Sequence, residues 1–143
     1  MDSSIRALTE RIVQGLQPHD YLSEYAACWN WIRANIRYTR DPRTVEQLKR
    51  PARIIETGNG DCDEASILAG TFAGTLGGKV RLIAAAFKPG PNNPGTGNML
   101  THVWCEAFDP ARNCWVVLDP VPGRRVGQML TRIARTKVLD VVD

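Results

Sequence analysis

The sequence predicts an α+β fold in which N-terminal helices, one carrying a cysteine at its N-terminus, pack on a small antiparallel sheet. Three observations point there. Apolar residues recur at helical spacing through residues 3–16, 21–38 and 62–76. Short apolar runs with strand character follow at 79–87, 101–108 and 113–119, the last two joined by the turn Asp109-Pro110-Ala111-Arg112. Helical and strand-like runs are segregated along the chain, the mark of α+β rather than alternating α/β architecture.

Composition sets the frame. A chain of 143 residues is expected to form one domain, 1–143, with a real core. A hydrophobic fraction of 43% and a charged fraction of 23% are ordinary for a globular protein. No apolar run approaches the ~20 residues that span a bilayer. The start, Met1-Asp2-Ser3-Ser4-Ile5-Arg6, lacks the basic-then-apolar pattern of a signal peptide, so a cytoplasmic protein is expected. The net charge of +3 is carried by Arg124, Arg125, Arg132, Arg135 and Lys137 against Asp140 and Asp143; the rest balances. This basic tail, and the basic zone from Arg33 to Arg53, are read as solvated surface rather than a nucleic-acid site.

Taken in order, Ile5, Leu8, Ile12, Val13 and Leu16 form the first helical stripe, ended by Gly15 and Pro18. Asp20 suits an N-cap for the long helix Tyr21–Tyr38, whose stripe holds Leu22, Tyr25, Ala26, Trp29, Ile32 and Ile36. Trp29 is expected in the core; Trp31 lies off the stripe. Residues 39–60 read as connection, with a short helical turn over Val45–Arg50 before Pro51. Gly58-x-Gly60 lacks the further glycine and lysine of a phosphate loop, which excludes nucleotide binding on that motif.

The next helix carries the chemistry. Asp61 as N-cap places Glu64 at N3, a capping-box spacing. Ala65, Leu68, Ala69, Phe72, Ala73 and Leu76 make its inward face, and Cys62 lies at the N-terminal end of that face. Gly70 and Gly74 would permit close packing, and Gly77-Gly78 stop the helix. A thiol at a helix N-terminus is expected to favour the thiolate, because the backbone dipole is positive there. Cys28, Cys105 and Cys114 lie in apolar segments and are expected in the core. No C-x-x-C pair exists, which argues against structural zinc, and no other cofactor or metal is expected.

A thirteen-residue loop, Lys88 to Leu100, leads to the hairpin and is read as either a lid near His102 or a plain surface loop. If Phe108 pairs with Asn113, His102 falls opposite Asp119, with side chains on one face about 5 Å apart at Cβ. A slip of one residue would turn Asp119 away. Trp104, with Trp115 or Phe108, would keep the pair partly dry. Pro120–Gly127 is a loop, and 128–142 reads as a helix through Met129, Leu130, Ile133 and Ala134, or finishes as a strand. The resulting constellation is Cys62, His102 and Asp119: nucleophile, base and orienting carboxylate for attack on a carbonyl carbon. The Cys62 amide is a natural oxyanion donor; Tyr38 and Trp104 are candidates for the second.

Three blocks in order, Gly60-Asp61-Cys62-Asp63-Glu64 with Leu68 and Leu76-Gly77, then Thr101-His102-Val103-Trp104, then Trp115-Val116-Val117-Leu118-Asp119-Pro120, resemble the core of the transglutaminase-like superfamily. The resemblance covers roughly residues 36–120 and implies a papain-like core with Cys62, His102 and Asp119 as its triad. Glu64 stands where a second Asp is commoner, and Gly78-Lys79-Val80 where Ile-Pro-x-Arg is often found. Tyr38, Asp41-Pro42, Glu46, Pro51 and Gly58 resemble in particular small members encoded by tailed phages and prophages, which implies phage proteins as partners and association with the virion. The superfamily implies thioester acyl-enzyme chemistry on peptide or side-chain amides. A chain with only the core favours hydrolysis of a peptide or protein substrate over cross-linking. The alternative is a non-catalytic structural or binding protein, such as a phage assembly component, on the same fold.

Overall fold

A computed structural model describes residues 3–38, 51–92, 94–119, 125–128 and 130–142. Two helices open the chain, α1 (Ser3–Ile12) and α2 (Tyr21–Asn35). The short strand β1 (Arg37–Tyr38) pairs in parallel with β2 (Asn59–Gly60), and α3 (Pro51–Thr57) lies between them in sequence. Then come α4 (Cys62–Thr75), β3 (Val80–Phe87), β4 (His102–Asp109), β5 (Cys114–Leu118) and β6 (Ile133–Val142). The last four form one antiparallel sheet in the order β5-β4-β3-β6. This is the expected α+β layout of helices against a small antiparallel sheet.

Local chemistry accounts for the helix ends. Asp20 caps α2, accepting from the Ser23 amide at 3.4 Å and the Ser23 hydroxyl at 2.7 Å. The helix stops at Asn35, short of the expected Tyr38, because Ile36 is extended and the Arg37 amide turns to the Gly58 carbonyl at 2.8 Å. The first helix likewise ends at Ile12, ahead of the left-handed Gly15. Helix α3 was not expected. Pro51 opens it, at the one helical position where a missing N–H and a fixed φ cost nothing. The helical turn expected at Val45–Arg50 lies outside the described residues.

Helix α4 sits between α2 and the sheet. Its Leu68 and Phe72 are buried with Tyr25, Trp29 and Ile32 of α2 and with Val80, Cys105, Ala107, Val116 and Leu118 of the sheet. Each such large apolar side chain contributes about 1.5–3 kcal/mol by leaving water. Trp31, undecided from its spacing, is a packing residue: its ring meets Phe72 edge-on at 5.6 Å. Gly70 permits the close approach of β3, since a Cβ there would lie 3.2 Å from Val80 Cγ1. Gly74 does not serve that purpose; it is exposed and a Cβ would meet nothing.

Gly78 is held to glycine by Tyr25. A Cβ at 78 would fall 2.2 Å from the Tyr25 hydroxyl, which donates to the Phe108 carbonyl at 2.8 Å and so ties α2 to the sheet. Gly78→Ala is therefore expected to displace Tyr25 and destabilise the fold by about 1–3 kcal/mol, the usual cost of overpacking. Urea denaturation would measure it, and an unchanged midpoint would refute the tie.

Of the two readings of 128–142, a helix or a finish as a strand, the strand holds: it is β6, which pairs with the whole of β3 from Val80 to Phe87. Its β-branched Ile133, Thr136 and Val138 suit a strand, and the β3 edge supplied a ladder that helical spacing could not reveal. The register is displaced beyond Ala86 and again beyond Leu82, leaving Ala134 and Leu139 as the extra residues, and Val138 and Leu139 are exposed on this outer strand. Cys114, expected in the core, is exposed because it starts an edge strand beside the turn. Cys28 and Cys105 are buried as expected.

Candidate functional site

The hairpin register differs from the simple expectation by two residues. Phe108 pairs with Trp115, and Asp109 with Cys114, so the loop is 110–113. Asp109 shapes it, accepting from the Ala111 amide at 3.0 Å and from Arg112 Nη1 at 3.0 Å, while Asn113 takes the left-handed conformation. Extending that register by one residue puts Asp119, just past the end of β5, level with Trp104 rather than His102. A shift of two preserves the face, and a diagonal neighbour remains within reach of a long side chain. His102 Nε2 meets Asp119 Oδ2 at 2.7 Å. The carboxylate is acceptor-only, so Nε2–H donates and Nδ1 is left with its lone pair.

Both groups are sheltered. The Asp119 side chain is 1% exposed and that of His102 15%. The imidazole lies beside the Trp104 indole, with centroids 6.0 Å apart and planes 28° from parallel, and beside the Phe87 ring at 6.4 Å. Trp29 Nε1 donates to the Asp119 carbonyl at 3.0 Å, so α2 fixes the backbone that carries the acid. Trp29 thus packs in the core, as expected, and also positions Asp119.

Cys62 is delivered by α4. The capping box forms in full: Asp61 Oδ1 accepts from the Glu64 amide at 2.9 Å, and Glu64 Oε1 accepts from the Asp61 amide at 3.2 Å. That arrangement leaves the first-turn amides of Cys62 and Asp63 without an intrahelical partner. The helix start is docked on β4 at a single peptide. In the β3–β4 ladder Phe108 and Lys79 form a hydrogen-bonded pair, so by alternation the Val103 peptide faces the β5 side. There β5 has already ended at Leu118, opposite Cys105. The Cys62 sulfur accepts from the Val103 N–H, and Ser66, one turn on, donates to the Val103 carbonyl at 3.0 Å. The thiol is thereby held one residue from His102.

The thiol itself departs from expectation. Cys62 Sγ donates to Asp63 Oδ1 at 3.6 Å, and among the described residues no hydrogen bond joins it to His102. Burial pushes the Cys62 thiol up to about 11; the Asp63 and Asp61 carboxylates add to the rise, and the Val103 amide opposes it. The expected resting thiolate is therefore replaced by a neutral thiol, because burial and adjacent negative charge outweigh the helix terminus.

Trp104 is not available as an oxyanion donor, since its Nε1 donates to Glu106 Oε2 at 2.9 Å. The Tyr38 side chain lies outside the described residues. The loop after β3 is fastened at its root: Thr96 donates its amide to the Phe87 carbonyl at 3.0 Å and accepts from the Phe87 amide at 2.8 Å through its hydroxyl. Val103, Ser66 and Glu106 bear on the site without any role expected of them from the sequence, and Trp29, expected only in the core, also holds the Asp119 backbone. Only the period-two spacing of His102, Trp104 and Glu106 could have flagged one of them. Among the described residues no group of three His, Cys, Asp or Glu side chains could hold a metal ion, and no helix is long and apolar enough to cross a membrane.

A helix-borne thiol set beside a hairpin-borne His–Asp pair places the chain in the papain-like class of α+β folds. Sequence comparison then identifies the family: the model of the transglutaminase-like superfamily core matches residues 6–120, and the chain belongs to that superfamily. No curated protein matches the sequence. Solved structures agree in fold. A candidate cysteine protease from Cytophaga hutchinsonii aligns with a TM-score of 0.65 at 13% identity, covering 99% of this chain and 48% of that one. LapG of Legionella pneumophila aligns with a TM-score of 0.65 at 14% identity, covering 99% of this chain and 83% of that one. The Rad4–Rad23 complex bound to a 6-4 photoproduct lesion gives 0.55 at 16% identity, over 89% of this chain and 36% of that one. The chain spans about half the length of the Cytophaga protein.

Proposed function

We propose that this protein is a cysteine-dependent hydrolase or acyltransferase acting on peptide or side-chain amide bonds, with hydrolysis favoured over transamidation. One observation carries the reading: a buried carboxylate holds a histidine by Nε2, with a cysteine fixed on the adjacent peptide. Cys62 Sγ attacks the amide carbon while its proton passes to His102 Nδ1. The C–N bond then breaks as Nδ1–H protonates the leaving amine, giving a thioester. Water, deprotonated by the same nitrogen, attacks the thioester, releasing acid and restoring the thiol. Asp119 fixes the tautomer and steadies the imidazolium, and the Cys62 amide faces the oxyanion. No step calls for a metal or cofactor.

The substrate class is a peptide or protein, handled by a single transglutaminase-like domain spanning 1–143. The narrower proposal of a phage or prophage origin, with phage proteins as partners, rests on Tyr38, Asp41-Pro42, Glu46, Pro51 and Gly58. A second reading, a non-catalytic binding or assembly protein, draws on the neutral thiol turned to Asp63. Intact-mass analysis after incubation with a library of peptide amides and activated esters separates the two. An acyl adduct that maps to Cys62, disappears in Cys62→Ala and decays with release of acid is the expected result. No adduct and no hydrolysis, with the biological role intact in Cys62→Ala, would overturn it.

A further inference from the structure

On β4 the residues His102, Trp104 and Glu106 alternate along one face of the sheet. Opposite Glu106 on β3 stands Arg81. Its Nε and Nη2 donate to Glu106 Oε1 at 2.8 and 2.6 Å, and its guanidinium also lies 4.1 Å from the centre of the Trp115 ring. The other carboxylate oxygen, Oε2, accepts from Trp104 Nε1 at 2.9 Å. The indole so held is the one that lies alongside the His102 imidazole. A continuous set of contacts therefore runs from a half-buried guanidinium to the proposed base.

We propose that Glu106, clamped by Arg81, is a positioning residue for His102 and acts through the Trp104 indole. Stability alone is a poor reason for this arrangement. The Glu106 side chain is 7% exposed, and a buried ion pair loses in desolvation much of what it gains in attraction. What the carboxylate does supply is direction. It fixes the indole plane, and the indole limits rotation of the imidazole about its own axis. Asp119 holds Nε2 from one side; the indole keeps the ring from swinging out of that bond. The inference rests on the reading of His102 as the base, but its test does not need a substrate.

The chain has two histidines, so His19→Asn leaves His102 as the one imidazole in a nitrogen-15 correlation spectrum. In that background, with the imidazole neutral, a single tautomer with the proton on Nε2 is expected. Glu106→Ala is expected to give averaged shifts for the two ring nitrogens, the mark of mixed tautomers. Glu106→Gln, whose amide oxygen still accepts from the indole, is expected to restore the single tautomer. A folded Glu106→Ala that keeps the wild-type tautomer would overturn the proposal. Should Glu106→Ala not fold, Trp104→Phe removes the N–H donor to Glu106 together with the outer part of the indole, and a wild-type tautomer there would equally overturn it. With an amide substrate in hand, kcat is expected to fall about 10- to 100-fold in Glu106→Ala at constant KM, and less than about 3-fold in Glu106→Gln. Loss of ring order with an inert Cys62 would sink the enzymatic reading and leave the positioning role standing.

Discussion

Asp119→Asn is expected to lower kcat for amide hydrolysis by about 10⁴-fold with little effect on KM, the size of effect known for the same change in a serine-protease triad. The side chain is almost fully buried, so an isosteric amide keeps the packing. It changes which group donates. The carboxylate accepts the Nε2 proton at 2.7 Å; an amide can present its NH₂ to Nε2 instead. The imidazole proton then moves to Nδ1, the nitrogen that must accept from Cys62, and the base is disabled in place. Loss of the charged hydrogen bond should cost about 1.5–3 kcal/mol of stability, visible as a lower urea midpoint with the fold retained. Activity within tenfold of wild type would remove Asp119 from its assigned role.

The second large effect is on the reactivity of Cys62 with pH. With the thiol pushed up to about 11, the thiolate is a minor species at neutral pH and grows about tenfold per pH unit until the medium nears that value. In a Cys114→Ser background, which removes the exposed cysteine, iodoacetamide labelling of Cys62 is expected to climb steadily from pH 7 to 10. Cys28 and Cys105, both buried, should stay unlabelled while the protein is folded. Asp63→Asn deletes the charge at 3.6 Å from the sulfur and should raise the rate at pH 8 several-fold. A labelling rate that levels off below pH 8 would mean that the helix terminus, not burial, governs the thiol. In the proposed mechanism a neutral thiol would couple attack on substrate to proton transfer to His102, rather than start from a preformed ion pair.

The candidate triad was legible because each member announces itself locally. Cys62 follows a glycine turn and a capping box, features set by neighbouring residues alone. His102 and Asp119 came from hairpin arithmetic, and that arithmetic was off by two residues: the side chain of Asp109 moved the turn onward to 110–113. The pair formed anyway because strand faces repeat every two residues, so a slip of two changes a directly opposed pair into a diagonal one. A slip of one would have broken it. The thiol was misread because the dipole is a local property of the helix, whereas burial and the geometry of Asp63 are not.

The sequence by itself determined the helices with marked caps or stripes, the helix-borne position of Cys62, and the hairpin strands that bring His102 to Asp119. These follow from periodicity and capping, which act over a few residues. Only the tertiary structure decided that residues 133–142 complete the sheet on β3, that Val103 carries the thiol, that Trp29 holds Asp119, and that Glu106 stands behind Trp104. Each of those depends on which backbone edge or buried polar group lacks a partner after the chain has folded. That is a property of distant segments brought together, and no local pattern encodes it.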